Sequence, residues 1–456
     1  MFENKTVHLI GIGGISMSGI AEILLSLKAK VTGSDISESK ITQNLISKGV
    51  EIKYGHHPQM IQKADIVVYT AAISDEDEEI KEAKRLKKEM YERAEFLGNI
   101  SKLYENCLCI SGTHGKSTTT SLVSLIFLEA NLNPTIQVGA ILPQINGNTY
   151  IGGQKYLIME SCEYVDSFLH FHPTSEIILN IDNDHLDYFH NLDNIKASFK
   201  KYVNLLPKNG FLIINKDDVN SDDIYNETIA NVITYGIKNE ALYNAKNITH
   251  NDLGHHSFDI YYKNNFLINI NLNINGEHNV YNALAAFALA HQYINDLNTI
   301  KAGIEKYRGV ERRFELIGKY NNALIYDDYA HHPTEVKTTV ESVKKIKHHT
   351  NWAIFQSHTF SRTKEHLDEF ADVLSNFDQI IIAPIYPARE TNTFNVSEEQ
   401  LVEKIKLKNK NVIYIDSFSK IVDYLEKNVL ENDLIITIGA GPINKVGFEL
   451  KEKSCQ

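Results

Sequence analysis

The stretch of this chain best suited to chemistry is Gly112-Thr-His-Gly-Lys-Ser-Thr118. An apolar run, Cys107-Leu-Cys-Ile110, leads into it. A helical pattern with Leu122, Val123, Leu125, Ile126 and Leu128 leads out of it. The order is strand, glycine loop, helix. Such a loop aims backbone N–H groups at a phosphate, and the helix N-terminus adds a favourable dipole. Lys116 is placed to reach β- and γ-phosphates, and the Ser117 hydroxyl to sit on Mg²⁺. A full phosphate-loop pattern asks for glycine at 110, where Ile110 stands, so this is a short variant. The plain alternative is an ordinary glycine turn with a surface lysine.

Carboxylates and an imidazole follow nearby strands. Lys155–Met159 reads as a strand delivering Glu160 and Glu163. Glu176–Asn180 reads as another, followed by Ile181-Asp-Asn-Asp-His185-Leu-Asp187. Ligands of open α/β sheets lie outside the carboxyl ends of the strands, so Glu160, Glu163, Asn180 and His185 are expected near the loop. Such a set beside a triphosphate suits Mg²⁺ or Mn²⁺. Each residue alone reads more simply as a surface or capping group. Further on, His278, Asn279 and Asn282 open a helical stretch reaching Ala290, with His278 and Asn282 on one face. They suit a base or ribose, or plain helix capping.

A second glycine turn lies near the start. Val7–Ile10 runs into Gly11-Ile-Gly-Gly-Ile-Ser-Met-Ser-Gly19, then a helix from Ile20 to about Leu27 and a strand, Lys30–Gly33, ending at Ser34-Asp35. This is half of a dinucleotide-type βαβ unit, with Asp35 at the distance of a ribose-binding acid. Gly11 and Gly13 fit the fingerprint and Ser16 breaks it, so a nicotinamide cofactor stays in competition. A strand Asp65–Tyr69 closes with Thr70-Ala-Ala-Ile73.

The elements that must position these groups divide the 456 residues into two to four domains by length. Phe211–Ile214, Asn231–Tyr235, Phe258–Tyr262 and Phe266–Leu272 read as strands, some antiparallel. Tyr307–Glu315 reads as a junction. Beyond it, strands are expected at Ala323–Tyr326, Trp352–Phe355, Gln379–Ala383, Val412–Ile415 and Leu434–Ile438, and helices at Pro333–Lys345 and Thr363–Leu374. Candidates again follow strand ends: Asp327-Asp-Tyr-Ala-His-His332, Ser357-His-Thr-Phe-Ser-Arg362, Arg389-Glu390 and Gly439-Ala-Gly441. The net charge, 46 − 58 = −12, with no basic block, argues against nucleic-acid binding. The mixed-charge run Asp75–Arg93 reads as a solvated helix. Cys107, Cys109, Cys162 and Cys455 lack C-x-x-C spacing, which fits a reducing compartment and no zinc site. With no signal-like or membrane-length apolar segment, the chain reads as cytoplasmic.

Taken together, the motifs resemble the Mur ligase family. They are Gly11-Ile-Gly-Gly-x-x-Met-Ser-Gly-Ile-Ala21, Gly112-Thr-His-Gly-Lys-Ser117, Asn180-Ile-x-x-Asp-His185, Gly276-x-His-Asn-x-x-Asn282, Arg312-Arg-Phe314 and Asp327-Asp-Tyr-Ala-His-His-Pro-Thr-Glu335. The first and last are similar to its alanine-adding branch. The resemblance implies an α/β, three-domain architecture. A Rossmann-like domain at 1–101 would bind a UDP substrate. A P-loop ATPase domain would span 102–309, and a Rossmann-like domain at 310–456 would bind the amino acid and complete the ATP site. The implied reaction joins L-alanine to the lactyl carboxylate of UDP-N-acetylmuramate, with ATP and Mg²⁺ (or Mn²⁺), through an acyl phosphate.

Roles carry over by position. Gly13, Gly14, Ser18, Asp35 and Thr70 resemble the UDP set. Gly112, Thr113, His114, Gly115, Lys116, Ser117 and Thr118 resemble the triphosphate loop. Asn180, His278, Asn279, Asn282, Arg313 and Asp328 resemble nucleotide contacts. Ser117, Glu160 and His185 resemble metal ligands, and Tyr329, His331 and Arg362 face the amino acid. Lys116, His185, His331 and Arg362 are the implied catalytic groups. No nucleic acid, no membrane insertion and a monomer or weak homodimer are implied. Two departures stand out. Thr359 occupies a position where some relatives carry arginine, and Ser161-Cys-Glu-Tyr-Val-Asp166 replaces Ala-Asp-Glu-Ser-Asp. No lysine stands out as the carbamylated metal ligand of several relatives. A murein tripeptide ligase, an NAD-dependent oxidoreductase and a non-catalytic nucleotide-binding regulator are the competing readings.

Overall fold

The computed structural model describes residues 2–70, 73–251, 254–310, 312–388 and 390–454. Ala71, Ala72, Arg389 and Cys455, named above, lie outside the described residues. The chain forms two compact units: residues 1–248, 258–271 and 278–307, and residues 249–257, 272–277 and 308–456.

The first sheet holds β1 (Thr6–Ile10), β2 (Lys30–Asp35), β3 (Glu51–Tyr54), β4 (Ile66–Tyr69) and β5 (Glu89–Glu92) in the order β3-β2-β1-β4-β5. All its pairings are parallel. Strand order reverses beside β1, which is where such a sheet opens a crevice for ligand. The glycine turn that follows β1 sits there. Helix Ile15–Ser26 starts five residues earlier than Ile20, because Gly14 is already its N-cap. The run Asp75–Arg93 is corrected too. It is a helix over Glu78–Arg85 only, and then supplies β5, whose Met90 and Tyr91 are half-buried in the sheet.

The second sheet has ten strands: β6 (Asn106–Ser111), β7 (Thr135–Leu142), β8 (Gly147–Tyr150), β9 (Tyr156–Glu160), β10 (Ser175–Ile178), β11 (Phe211–Asn215), β12 (Asn231–Gly236), β13 (Tyr243–His250), β14 (His255–Tyr262) and β15 (Asn265–Asn275). Their order is β15-β14-β13-β12-β11-β10-β6-β9-β7-β8. β6, buried almost throughout, lies between β10 and β9 in parallel register, as a near-continuous apolar strand should. β15 forms one edge. Helix Leu297–Lys306 covers the middle of that edge: Lys301 Nζ donates to the Asn269 carbonyl at 2.8 Å, and Glu305 Oε1 accepts the Asn271 N–H at 2.8 Å. One apolar cluster runs from the first sheet (Val7, Leu9, Ile20) to the second (Leu157, Phe168, Phe199).

The third sheet holds β16 (Glu315–Tyr320), β17 (Ala323–Asp328), β18 (Asn351–Phe355), β19 (Gln379–Ile382), β20 (Val412–Tyr414) and β21 (Leu434–Ile438), ordered β16-β17-β21-β18-β19-β20. Only β16–β17 is antiparallel. Separate apolar clusters cover its two faces. The expected helix Thr363–Leu374 is two helices, Phe360–Glu365 and Leu367–Leu374, broken at His366.

Candidate functional site

β6 ends in a turn that needs glycine twice. Gly112 has φ +129° and Gly115 φ +89°, the left-handed region open to residues without Cβ. A Cβ on Gly115 would also lie 2.6 Å from Asn282 Oδ1. The turn thus closes directly onto the first turn of helix His278–Ala290. There Asn282 and Asn279 are buried and bonded to each other at 2.9 Å, while His278 is exposed. Asn180 braces the turn from β10. Its Oδ1 accepts the His114 N–H at 2.8 Å and its Nδ2 donates to the His114 carbonyl at 3.0 Å. Thr113 Oγ1 accepts the Asp182 N–H at 2.9 Å. Ser117 and Thr118 lie half-buried in the first turn of helix Lys116–Glu129.

Lys116 folds back over this turn. Its Nζ donates to the Gly112 carbonyl at 2.6 Å and the Thr113 carbonyl at 3.1 Å, and it pairs with Glu163 Oε2 at 3.1 Å. Burial works against the ammonium, but Glu163, with Cys162 and Glu160 adding to the field, lifts its pKa above the usual lysine value. Glu163 is 2% exposed, so the pair is an interior one. This gives Glu163, within the altered acidic stretch, a clear partner. Immediately after it, Val165 and Asp166 both have positive φ, +51° and +57°. A β-branched residue pays for that conformation, and nothing in the sequence announces it.

Glu160 ends β9. Its Oε1 accepts the Gly139 N–H, and a Cβ on Gly139 would lie 2.6 Å from Oε2, so the absent side chain makes the carboxylate's seat. His185, at φ +54°, packs its ring 4.5 Å from that of Tyr164, whose hydroxyl donates to Asp187 at 2.8 Å. Among the described residues no three His, Cys, Asp or Glu side chains group to hold a metal. A Mg²⁺ ion does not need such a cage. It takes one or two carboxylates, keeps several waters and shares the phosphates of its nucleotide. Ser117 and Glu160 are hard oxygen donors of that kind, and the Gly139 seat holds one of them in place.

In the first sheet's turn, Asp35 Oδ2 accepts the Gly13 N–H and Oδ1 accepts the Ile36 N–H, each at 2.8 Å. Gly13 must lack a side chain, since a Cβ would stand 2.8 Å from that carboxylate. Gly14 caps helix Ile15–Ser26. Ser18 is buried and its hydroxyl donates to the Ile15 carbonyl at 2.8 Å, so the helix itself uses it. A methyl of Thr70 packs beneath Gly11. Ser16 faces another partner: Gln137 of β7 donates to its carbonyl at 2.9 Å, and Arg93 reaches its hydroxyl at 3.3 Å. Asn148 of β8 donates to the Ile15 carbonyl at 2.8 Å. Sequence reasoning assigned no site role to Arg93, Gln137 or Asn148. The Ser16 break in the glycine fingerprint was the signal available.

The second unit gathers its own group of residues. Arg312 is committed to structure: it pairs with Asp327 at 3.1 Å, donates to the Gly439 and Gly441 carbonyls at 2.6 and 2.8 Å, and stacks on Tyr329. This uses the Gly439-Ala-Gly441 turn. Arg313 also lies over Tyr329 and pairs with Glu335 at 3.5 Å. Asp328 is buried, accepts from Thr339 Oγ1 at 2.5 Å and from the Ala330 N–H at 3.3 Å, and burial pushes its pKa up to about 6. His331 Nδ1 lies 3.0 Å from the Tyr329 carbonyl, to which it donates, and burial lowers the ring's pKa. Its ring sits 5.9 Å from that of His358. Arg362 donates to His358 Nδ1 at 3.2 Å, and burial, with His331 and Arg362 adding to it, takes His358 down to about 4. His331 and Arg362 therefore meet around His358, a residue within the quoted Ser357–Arg362 stretch that had been given no role, and the Tyr329 ring lies 5.4 Å from that of His331.

Among the described residues no helix is long and apolar enough to cross a membrane. Comparison with known proteins covers nearly all of the chain. Residues 6–105 match the family model "Mur ligase family, catalytic domain", 110–290 "Mur ligase middle domain", and 312–441 "Mur ligase, glutamate ligase domain". The chain is 46% identical over 451 residues to the UDP-N-acetylmuramate–L-alanine ligase of Acetivibrio thermocellus, covering 98% of this chain and 96% of that one. It is 48% identical over 439 residues to the ligase of the same name from Caldicellulosiruptor bescii, covering 96% of each. In fold it is similar to the crystal structure of UDP-N-acetylmuramate–alanine ligase from Thermotoga maritima. The TM-score is 0.85 at 24% identity, over 99% of this chain and 100% of that one.

Proposed function

The chain belongs to the Mur ligase family, and from that premise we propose that it joins L-alanine to the lactyl carboxylate of UDP-N-acetylmuramate at the cost of ATP, in peptidoglycan precursor synthesis. The full-length likeness to alanine-adding ligases carries this reading, and the Lys116 turn supplies the chemistry it needs. A carboxylate is a poor electrophile. Its oxygen attacks the γ-phosphorus of ATP, ADP leaves, and the acyl phosphate has a good leaving group. The uncharged amine of alanine then attacks the acyl carbon, and the tetrahedral intermediate expels phosphate. Amide, ADP, phosphate and one proton result. Most of the catalysis is alignment and charge neutralisation.

This chain's groups fit those tasks. The backbone N–H groups at the start of helix Lys116–Glu129 cradle the triphosphate, those of Thr113 and His114 being held by Asn180, and Lys116 exchanges its carbonyl contacts for γ-phosphate oxygens. Ser117 and Glu160 would hold one Mg²⁺ and His185 would serve a second, and the ions would supply charge neutralisation on the phosphates. Asn180 keeps the turn in shape, and Asn279, Asn282, Arg313 and Asp328 serve the nucleotide. The turn at Gly13 and Gly14, with Asp35 and Thr70, takes the UDP moiety. Arg362 binds the alanine carboxylate through a two-pronged contact. His331 donates through Nδ1 and so keeps Nε2 as an acceptor for the ammonium proton; burial keeps it neutral at pH 7. On this reading the enzyme works in the cytoplasm on soluble nucleotide precursors.

The test is phosphate release with ATP, Mg²⁺ and UDP-N-acetylmuramate, adding L-alanine, the murein tripeptide or NAD in turn. Release that requires L-alanine is expected. Release driven by the tripeptide alone would make the enzyme a recycling ligase, and no release under any condition would remove the ligase reading.

A further inference from the structure

Arg362 sits on a segment that cannot hold itself. Helix Phe360–Glu365 is six residues long, too short to be stable alone. The residue before it, Thr359, has φ +64°, a conformation a β-branched residue keeps only when its surroundings impose it. The surroundings come from a different loop, the one leaving β19. Tyr386 donates its N–H to the Ser357 carbonyl and accepts the Thr359 N–H, both at 2.9 Å, forming a bridge opposite His358. Further along that loop stands Glu390. Its Oε2 accepts the Ser361 N–H at 2.9 Å and its Oε1 accepts the Ser361 hydroxyl. Helix N–H groups in the first turn have no partner within the helix. Here Thr359 Oγ1 takes the Arg362 N–H at 3.4 Å, and a carboxylate delivered from 28 residues beyond Arg362 takes that of Ser361.

We propose that Glu390 is a positioning residue: it fixes the short helix from outside and so aims the Arg362 guanidinium, which His358 Nδ1 steadies from the other side at 3.2 Å. The inference rests on Arg362 being the group that binds the amino acid's carboxylate. Glu390 stays ionised in this role, since its bonds to Ser361 outweigh burial and hold its pKa below the ordinary glutamate range. Sequence alone cannot join the two loops, because the contact is between the ends of neighbouring strands β18 and β19.

The experiment compares the full-length enzyme with Glu390→Ala, Glu390→Gln and Arg362→Ala, measuring KM for L-alanine, ATP and UDP-N-acetylmuramate separately. Glu390→Ala is expected to raise KM for L-alanine ten-fold or more while the other two stay within two-fold. Glu390→Gln should recover most of the loss, because its amide oxygen still accepts the Ser361 N–H. Unfolding followed by the fluorescence of Trp352, the chain's one tryptophan, checks that the unit remains folded. An Arg362→Ala enzyme with normal KM for L-alanine would overturn the underlying reading of Arg362. A defective Arg362→Ala beside a normal Glu390→Ala would overturn the positioning role alone. Glu390→Gln as damaged as Glu390→Ala would also overturn it, because the charge itself would then be touching substrate.

Discussion

Replacing Asp328 by asparagine is expected to make the second unit more stable and the enzyme worse. Asp328 is 9% exposed at the end of β17 and its pKa is pushed up to about 6 from an ordinary 3.8. At about 1.36 kcal/mol for each pH unit, the ionised carboxylate costs the fold about 3 kcal/mol at pH 7. The sign follows from linkage. Between about pH 4 and pH 6 the native state binds more protons than the unfolded chain, so stability falls as pH rises through that window, and the loss is complete by about pH 7. Asparagine keeps the shape without the charge. Its Oδ1 can accept the Ala330 N–H, and its Nδ2 can donate to Thr339 Oγ1, whose own hydrogen then turns from position 328 to the Glu335 carbonyl at 3.1 Å. Trp352 lies in the same unit, so its fluorescence follows urea unfolding of that unit. With a slope of about 2 kcal/mol per molar urea, a gain of about 3 kcal/mol moves the midpoint by about 1.5 M. The difference between the two proteins should vanish below about pH 4. A variant that is less stable at pH 7, or one whose advantage does not change with pH, would refute the account. Ligation should fall at least ten-fold, since a carboxylate kept at such a cost points to use in the site.

Three further outcomes follow from the first unit. Lys116→Ala should abolish ligation yet leave UDP-N-acetylmuramate affinity near normal by calorimetry; a large loss of affinity would contradict the assignment of UDP to the first turn. Gly139→Ala should push the Glu160 carboxylate off its seat and raise the Mg²⁺ concentration needed for half-maximal turnover about ten-fold, while an unchanged Mg²⁺ titration would remove Glu160 from the metal site. Asn180→Asp keeps the acceptor for the His114 N–H but sets a carboxylate against the His114 carbonyl, 3.0 Å from the present Nδ2. It should raise KM for ATP more than Asn180→Ala does, and the reverse order would show that the brace is not what matters.

Much of this architecture was legible in the chain. The phosphate turn, the strands that deliver Glu160 and Asn180, and the alternating strands and helices after residue 320 all carry local signals of period and glycine placement. What escaped was set by contacts between distant segments. β7 and β8 have little apolar alternation, and they matter because Gln137 and Asn148 reach the Ser16 turn. β5 was hidden in a charged run, since its side chains are only half-buried. The pairing of Lys116 with Glu163 needed β9 to lie beside β6. Ser18 and Asn180 were read as a UDP contact and a nucleotide contact. Yet the Ser18 hydroxyl is used by its own helix, and the Asn180 amide braces the loop, which no spacing rule reveals.

The covered edge of β15 bears on how this protein survives at high concentration. Residues 265–275 read Asn-Phe-Leu-Ile-Asn-Ile-Asn-Leu-Asn-Ile-Asn, eleven in a row without a charge or a proline. An unpaired edge of that kind is a template on which another chain can add as a strand, and the composition is that of a segment prone to cross-β stacking. Lys301 and Glu305, one turn apart on a single helix, occupy a carbonyl and an N–H at the middle of the edge. Two half-buried charged side chains thus cover the middle of an edge on which a sheet could otherwise grow. Removing both would leave turnover per folded molecule unchanged while shortening the time the protein stays in solution.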